Sequence, residues 1–267
     1  MMGNRFAILL ISARLAFKSL PEFSTWVTVV VRVLAVPAAT SLFYLAISSG
    51  AGMAPLQAAN AIAAAAGVGA VSAAVAASVL VAQDRFNGTL TYLMIAPYSR
   101  ISAWTGRFIL VAGFGLVMAV IGLSVSLAIT GQAFNLSQWA GIPAVLLVAS
   151  LSSVGVGYAL GAVSLRMRDS LLLANVAEYA LPLLTGIVAP VSALPGGLEY
   201  VARLIPLTHA IEAGRTLVAN GVTSAFWMQL LAGALTGIVW FVVGWYAWKV
   251  LEKRARAAGN VDALAIG

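Results

Sequence analysis

No cysteine occurs among the 267 residues, which excludes a disulfide framework, a thiolate metal site and a cysteine nucleophile. His209 is the one histidine, so a zinc site of the His-Glu-x-x-His type is excluded. No Gly-x-Ser-x-Gly elbow is present for a hydrolase serine either. The dipeptide Gly-Lys is absent, and with it the phosphate loop that ends in those residues, so the chain has no such device to cradle ATP. Charge is scarce as well, at 9% of residues, against roughly 25% in soluble domains. These absences describe a chain that is not an enzyme, binds no cofactor or metal of its own, and is not solvated by water over most of its surface.

What is present is apolar length. Hydrophobic residues make up 62% of the chain, and a helix crosses the hydrocarbon layer with about 20 of them. Stretches of that kind cover residues 26–48, 58–82, 103–130, 140–164, 171–190 and 226–248, which predicts an all-α membrane protein of six transmembrane helices in one domain, 1–267. Residues 5–20 mix apolar positions with Arg5, Arg14 and Lys18. That is the pattern of an interfacial helix and not of a cleaved signal. A further stretch, 194–221, carries Glu199, Arg203, His209, Glu212 and Arg215 and is split by Pro206; it is too polar for a full span.

Charge placement orients the spans. With both termini cytoplasmic, twelve of the fifteen basic residues fall at inner ends, as the positive-inside rule requires. The net charge of +7 then anchors topology, and nucleic acid is not an expected partner. Gly157 with Gly161, and Gly233 with Gly237, stand at the four-residue spacing that lets helices pack closely in lipid; packing within one subunit is the expected use.

Between the second and third spans lies QDRFNGTLTYLMIAPYSR, residues 83–100. Asn87 and Gly88 permit a turn, Thr89 can cap a helix, Leu90, Leu93 and Met94 share one face, and Pro97 ends it. This predicts a short helix over 83–97, whose apolar face is covered either by the protein's own spans or by a partner. Asp84 and Arg85 before Gly88-Thr89-Leu90, then Pro97, Ser99 and Arg100, resemble the cytoplasmic loop of type-2 ABC exporter permeases. The later stretch PLLTGIVAPVSALPGGLEYVARLIPLTHAIEAGR, with Gly186, Pro190, Leu194, Pro195, Pro206, Thr208, Glu212 and Arg215, is similar to the segment after the fifth span in that family. Thr91 departs from the family, which often has an acidic residue there.

The resemblance implies two copies of a six-span subunit in a bacterial plasma (inner) membrane, as a homodimer or with a close paralogue. Each copy docks on a separate ATP-binding cassette ATPase that holds the ATP and magnesium. The segment 83–97 would be the coupling helix, 5–20 an interfacial connecting helix, and 194–221 a pair of short re-entrant outer helices. The expected cargo is an amphipathic drug-like molecule, a lipid or a lipid-linked glycan.

Two charges stand deep in spans, Arg32 and Glu178, each about seven residues or ~10 Å from its inner end. A lone charge there costs roughly 2.5–3.5 kcal/mol or more, so an ion pair between the first and fifth spans is expected, within a subunit or across the dimer. The alternative has Arg32 snorkelling to the interface. Glu178 also leaves a second function open, a carrier driven by an ion gradient.

Overall fold

A computed structural model describes residues 2–20, 25–50, 57–89 and 100–258. The helices are α1 (Met2–Ser19), α2 (Trp26–Ser48), α3 (Gln57–Phe86), α4 (Arg100–Thr130), α5 (Leu136–Ser164), α6 (Leu172–Leu184), α7 (Leu198–Arg203), α8 (Pro206–Asn220) and α9 (Ser224–Ala258). Five of them, α2, α3, α4, α5 and α9, are long and apolar enough to cross a membrane, and α6 is a shorter apolar helix. Among the described residues there is no strand, and the protein is an all-α membrane protein.

The bundle is built around α3. This helix is mostly alanine, glycine and serine, so it brings little side-chain bulk and its neighbours come close on nearly every side. It packs chiefly on α4 and α5, with α8, α6 and α2 completing the ring, while α9 lies on α5 and α8. The glycine pairs serve this packing. A Cβ on Gly157 would stand 2.0 Å from the carbonyl oxygen of Ala74, and one on Gly237 would stand 2.5 Å from Cβ of Ser152. In lipid, where apolar burial gives helices no preference for each other, such close approach supplies the attraction. The small α1 lays Ala16 and Leu20 into a fully buried seam against Val111, Ala112 and Leu80.

Helix ends show how the sequence sets lengths. Asn135 and Gln138 form a reciprocal cap, which starts α5 at Leu136, four residues before the expected 140. α9 runs on through the basic tail to Ala258 instead of stopping at 248. The fifth span is the main correction. Expected over 171–190, it is a helix of 13 residues, about 20 Å long and short of the ~30 Å hydrocarbon layer. Pro182 lacks the N–H that would bond the Glu178 carbonyl, and Gly186 takes a φ of 90° that ends the helix. Thr185 closes the last turn by donating to the Leu181 carbonyl at 2.7 Å.

The polymer then folds back into the bundle. Pro206, at the start of α8, has its carbonyl beside Gly233 on α9, nine residues or ~13 Å below the start of that helix. From there α8 climbs alongside α9 to Asn220. Thr208, Leu207, Ile211 and Leu217 are fully buried on the way. The segment between α6 and α9 therefore folds back alongside α9 within the bundle.

Candidate functional site

The basic ends of four helices meet in one polar cluster. At the end of α3, Asp84 is buried and ion-paired to Arg107, three residues after Trp104 on α4. Only 5% of Asp84 and 7% of Arg107 are exposed. The second carboxylate oxygen of Asp84 accepts from the Thr89 hydroxyl at 2.9 Å, so both oxygens are used. The Arg107 guanidinium lies 5.3 Å from the centre of the Trp104 ring, and that ring packs edge-on against Trp248 of α9 at 5.1 Å. Arg85, one residue along, donates to the carbonyls of Leu165 and Met167 at 3.3 and 3.0 Å. It thereby satisfies acceptors at the C-terminal end of α5, where a cation is also favoured by the helix dipole.

The turn between these groups is set by Gly88, whose φ of 66° is costly for any residue with a Cβ. Its N–H bonds the Arg85 carbonyl, while the Asn87 N–H bonds that of Gln83. Asp84, Arg85, Gly88 and Thr89 thus hold the chain in place where it leaves α3. Leu90, Leu93, Met94 and Pro97, expected on the coupling helix, lie outside the described residues. Arg107 was counted in the sequence only as one of many inner-end cations. Its position one turn after Trp104 in an otherwise apolar stretch was the available sign that it needs a buried anion.

A second site lies within the membrane. A partly open cavity of about 460 Å³ is lined by α2, α3, α4 and α6, with Arg32, Thr40, Tyr44, Ser72 and Glu178 among its lining residues. Its size is that of a small-molecule pocket. The structure brings Arg32 and Glu178 to the same cavity, yet among the described residues the ion pairs are Asp84–Arg107 and Glu199–Arg203. Both charges line this cavity, and the ion pair expected between them, within a subunit or across the dimer, is not one of those two. The backbone of α2 is irregular at Arg32. Pro37 has no N–H to offer the carbonyl four residues back, and the helix relaxes into a π turn, Val31–Ala35, whose next N–H, from Val36, reaches the Val31 carbonyl. This turn carries Arg32, which is exposed.

The segment between α6 and α9 is held by its polar residues. His209 Nε2 donates to the Arg203 carbonyl at 2.9 Å, since a carbonyl only accepts, and Nδ1 meets the Gln229 side-chain amide at 3.2 Å. The Arg215 guanidinium donates to the Gly186 carbonyl at 2.6 Å, tying α8 to the end of α6; burial lowers the affinity of Arg215 for its proton, and Glu212 opposes that shift. The Thr208 hydroxyl donates to the Ala202 carbonyl and the Trp240 indole to that of Leu204. Glu212 is half-buried, and Pro195 is in an exposed loop beside Gly196. His209 therefore has a structural post. Among the described residues no group of histidine and carboxylate side chains is placed to hold a metal ion.

Comparison with known proteins adds one match. A family model described as ABC-2 family transporter protein matches residues 52–246, which takes in α3 to α9 up to Tyr246. No curated protein matches the chain.

Proposed function

Because the chain belongs to the ABC-2 family of transporter proteins, we propose that it is the membrane-spanning subunit of an ATP-driven exporter. In this reading two copies form the export path and each docks on a separately encoded cassette ATPase. The observation that carries the reading is the buried Asp84–Arg107 pair with Thr89. It ties Thr89, the last described residue before 90–99, to α3 and α4 at once, so a force applied to the chain beyond Thr89 is passed to both helices. With no phosphate loop of its own, the chain in this reading receives the energy of ATP hydrolysis from the cassette subunit through that contact.

The α2–α6 cavity is the proposed half of the path. Arg32 is exposed on α2 at a depth of ~10 Å, where contact with acyl chains costs roughly 2.5–3.5 kcal/mol. A second copy facing α2 and α6 removes that cost and closes the cavity. Its mixed lining, apolar with one charge of each sign, suits an amphipathic drug-like molecule, a lipid or a lipid-linked glycan, moved outward from a bacterial inner membrane with both termini cytoplasmic.

The test is co-purification with a cassette ATPase. Wild type retains it, and Leu90→Asp or Leu93→Asp, which places a charge on the proposed docking face, releases it. A chain that binds no cassette protein, or whose variants bind it as wild type does, points instead to a gradient-driven carrier using Glu178.

A further inference from the structure

A second hollow, of about 510 Å³, lies on the opposite side of the bundle between α4, α5 and α9. Its wall is aromatic: Trp104, Phe108, Tyr158, Phe241 and Trp245. The rings lock each other in place, with Phe108 centred 4.8 Å from Tyr158 and 5.4 Å from Phe241. Its mouth is aliphatic and opens sideways. Ile109, Ile238 and Val242 line it and are 60%, 57% and 61% exposed, which on a spanning surface means that they face lipid.

The rim carries charge of one sign. On α9, Ile238, Val242, Trp245 and Lys249 recur at helical spacing and form one stripe, and Lys253 extends it by a further turn. Lys249 and Lys253 are exposed, with the Lys249 ammonium 5.5 Å from the centre of the Trp245 ring. The stretch from 249 to 256 holds four cations against one acid, Glu252. The α2–α6 cavity, by contrast, has one charge of each sign. An apolar hollow open to lipid, with cations one turn beyond its aromatic edge, is complementary to a molecule with an acyl chain and an anionic head.

We propose that this hollow binds one acyl chain of an anionic glycerophospholipid from the leaflet at the basic end of the bundle, with Lys249 holding the phosphate. The lipid sits against Trp104, and so buttresses the ring on which Arg107 rests.

Native mass spectrometry of the full-length, delipidated chain tests this with dioleoyl phosphatidylglycerol and dioleoyl phosphatidylcholine as probes. Phosphatidylglycerol is retained at one molecule per chain and more tightly than phosphatidylcholine. Lys249→Ala weakens phosphatidylglycerol about five-fold, as expected for loss of one surface cation, and weakens phosphatidylcholine less, because its choline offsets the charge of the phosphate it shares with phosphatidylglycerol. Val242→Trp fills the mouth from a lipid-facing position and lowers retention of both lipids; Ile109→Trp does the same from the other lip and serves if the first variant misfolds. Equal retention of the two lipids with no effect of Lys249→Ala overturns the proposal, as does normal retention in a folded, plugged variant.

Discussion

Replacing Arg107 with methionine removes the guanidinium that neutralises a carboxylate almost out of reach of water. Asp84 is 5% exposed, and its remaining partner, the Thr89 hydroxyl, supplies a dipole but no charge. Breaking one side of a buried pair costs about 3–5 kcal/mol, whereas replacing both partners with apolar residues of similar volume is often neutral or stabilising. Arg107→Met alone is therefore expected to lose about 3–5 kcal/mol, Asp84→Leu alone a similar amount, and the double variant less than either single. Trp104 softens the second case, because a guanidinium left without its carboxylate still has the ring face 5.3 Å away. Reversible unfolding of the purified chain in mixed micelles of increasing SDS fraction gives the three free energies. The double-mutant cycle isolates the pair. If the double variant loses the sum of the two singles, the groups do not interact and the tie that holds the chain where it leaves α3 is refuted.

Three further outcomes follow from the packing and the polar ties. Gly157→Val drives a branched side chain into the α3 backbone at Ala74 and is expected to abolish folded yield, whereas Gly113→Ala, with nothing within 4 Å of the new methyl group, keeps it; size-exclusion profiles decide. Thr89→Ala strips the second donor from Asp84 and costs about 1.5–3 kcal/mol in the same SDS titration, while Thr89→Ser restores most of it. Arg215→Met frees the Gly186 carbonyl, and backbone hydrogen exchange around residues 186–190 is expected to rise roughly ten-fold or more for a lost charged hydrogen bond of at least ~1.4 kcal/mol.

Apolar length located five of the six expected spans as helices long enough to cross, because hydrocarbon thickness sets the length they need, and the polar, Pro206-split stretch was legible as something other than a span. Where the fifth span stops was harder to read, since 171–190 is largely apolar on both sides of Glu178 and its end depends on Gly186 adopting a left-handed turn that composition does not signal. The polar cluster at the basic end was half legible. Asn87 and Gly88 stood out as a turn and Asp84, Arg85 and Thr89 as members of a short helix over 83–97, but Arg107, which pairs with Asp84, is 23 residues away from it, and only the close packing of α3 on α4 brings them together. The matched depth of Arg32 and Glu178 suggested an ion pair, and in the structure both line one cavity. The π turn over Val31–Ala35 that carries Arg32 has no signature in apolar periodicity.

The absence of cysteine makes the most direct measurement simple. Leu34→Cys places a single label on the exposed face of α2, two residues from Arg32, and electron–electron distance measurements on the chain purified with its cassette protein report the spacing between copies. The account predicts one inter-copy distance in the nucleotide-free complex that shifts when ATP hydrolysis is trapped with vanadate. Failure to observe an inter-copy distance, or one that is the same with and without trapped nucleotide, would contradict the claim that an ATP-driven push on the 90–99 loop reaches the α2–α6 cavity.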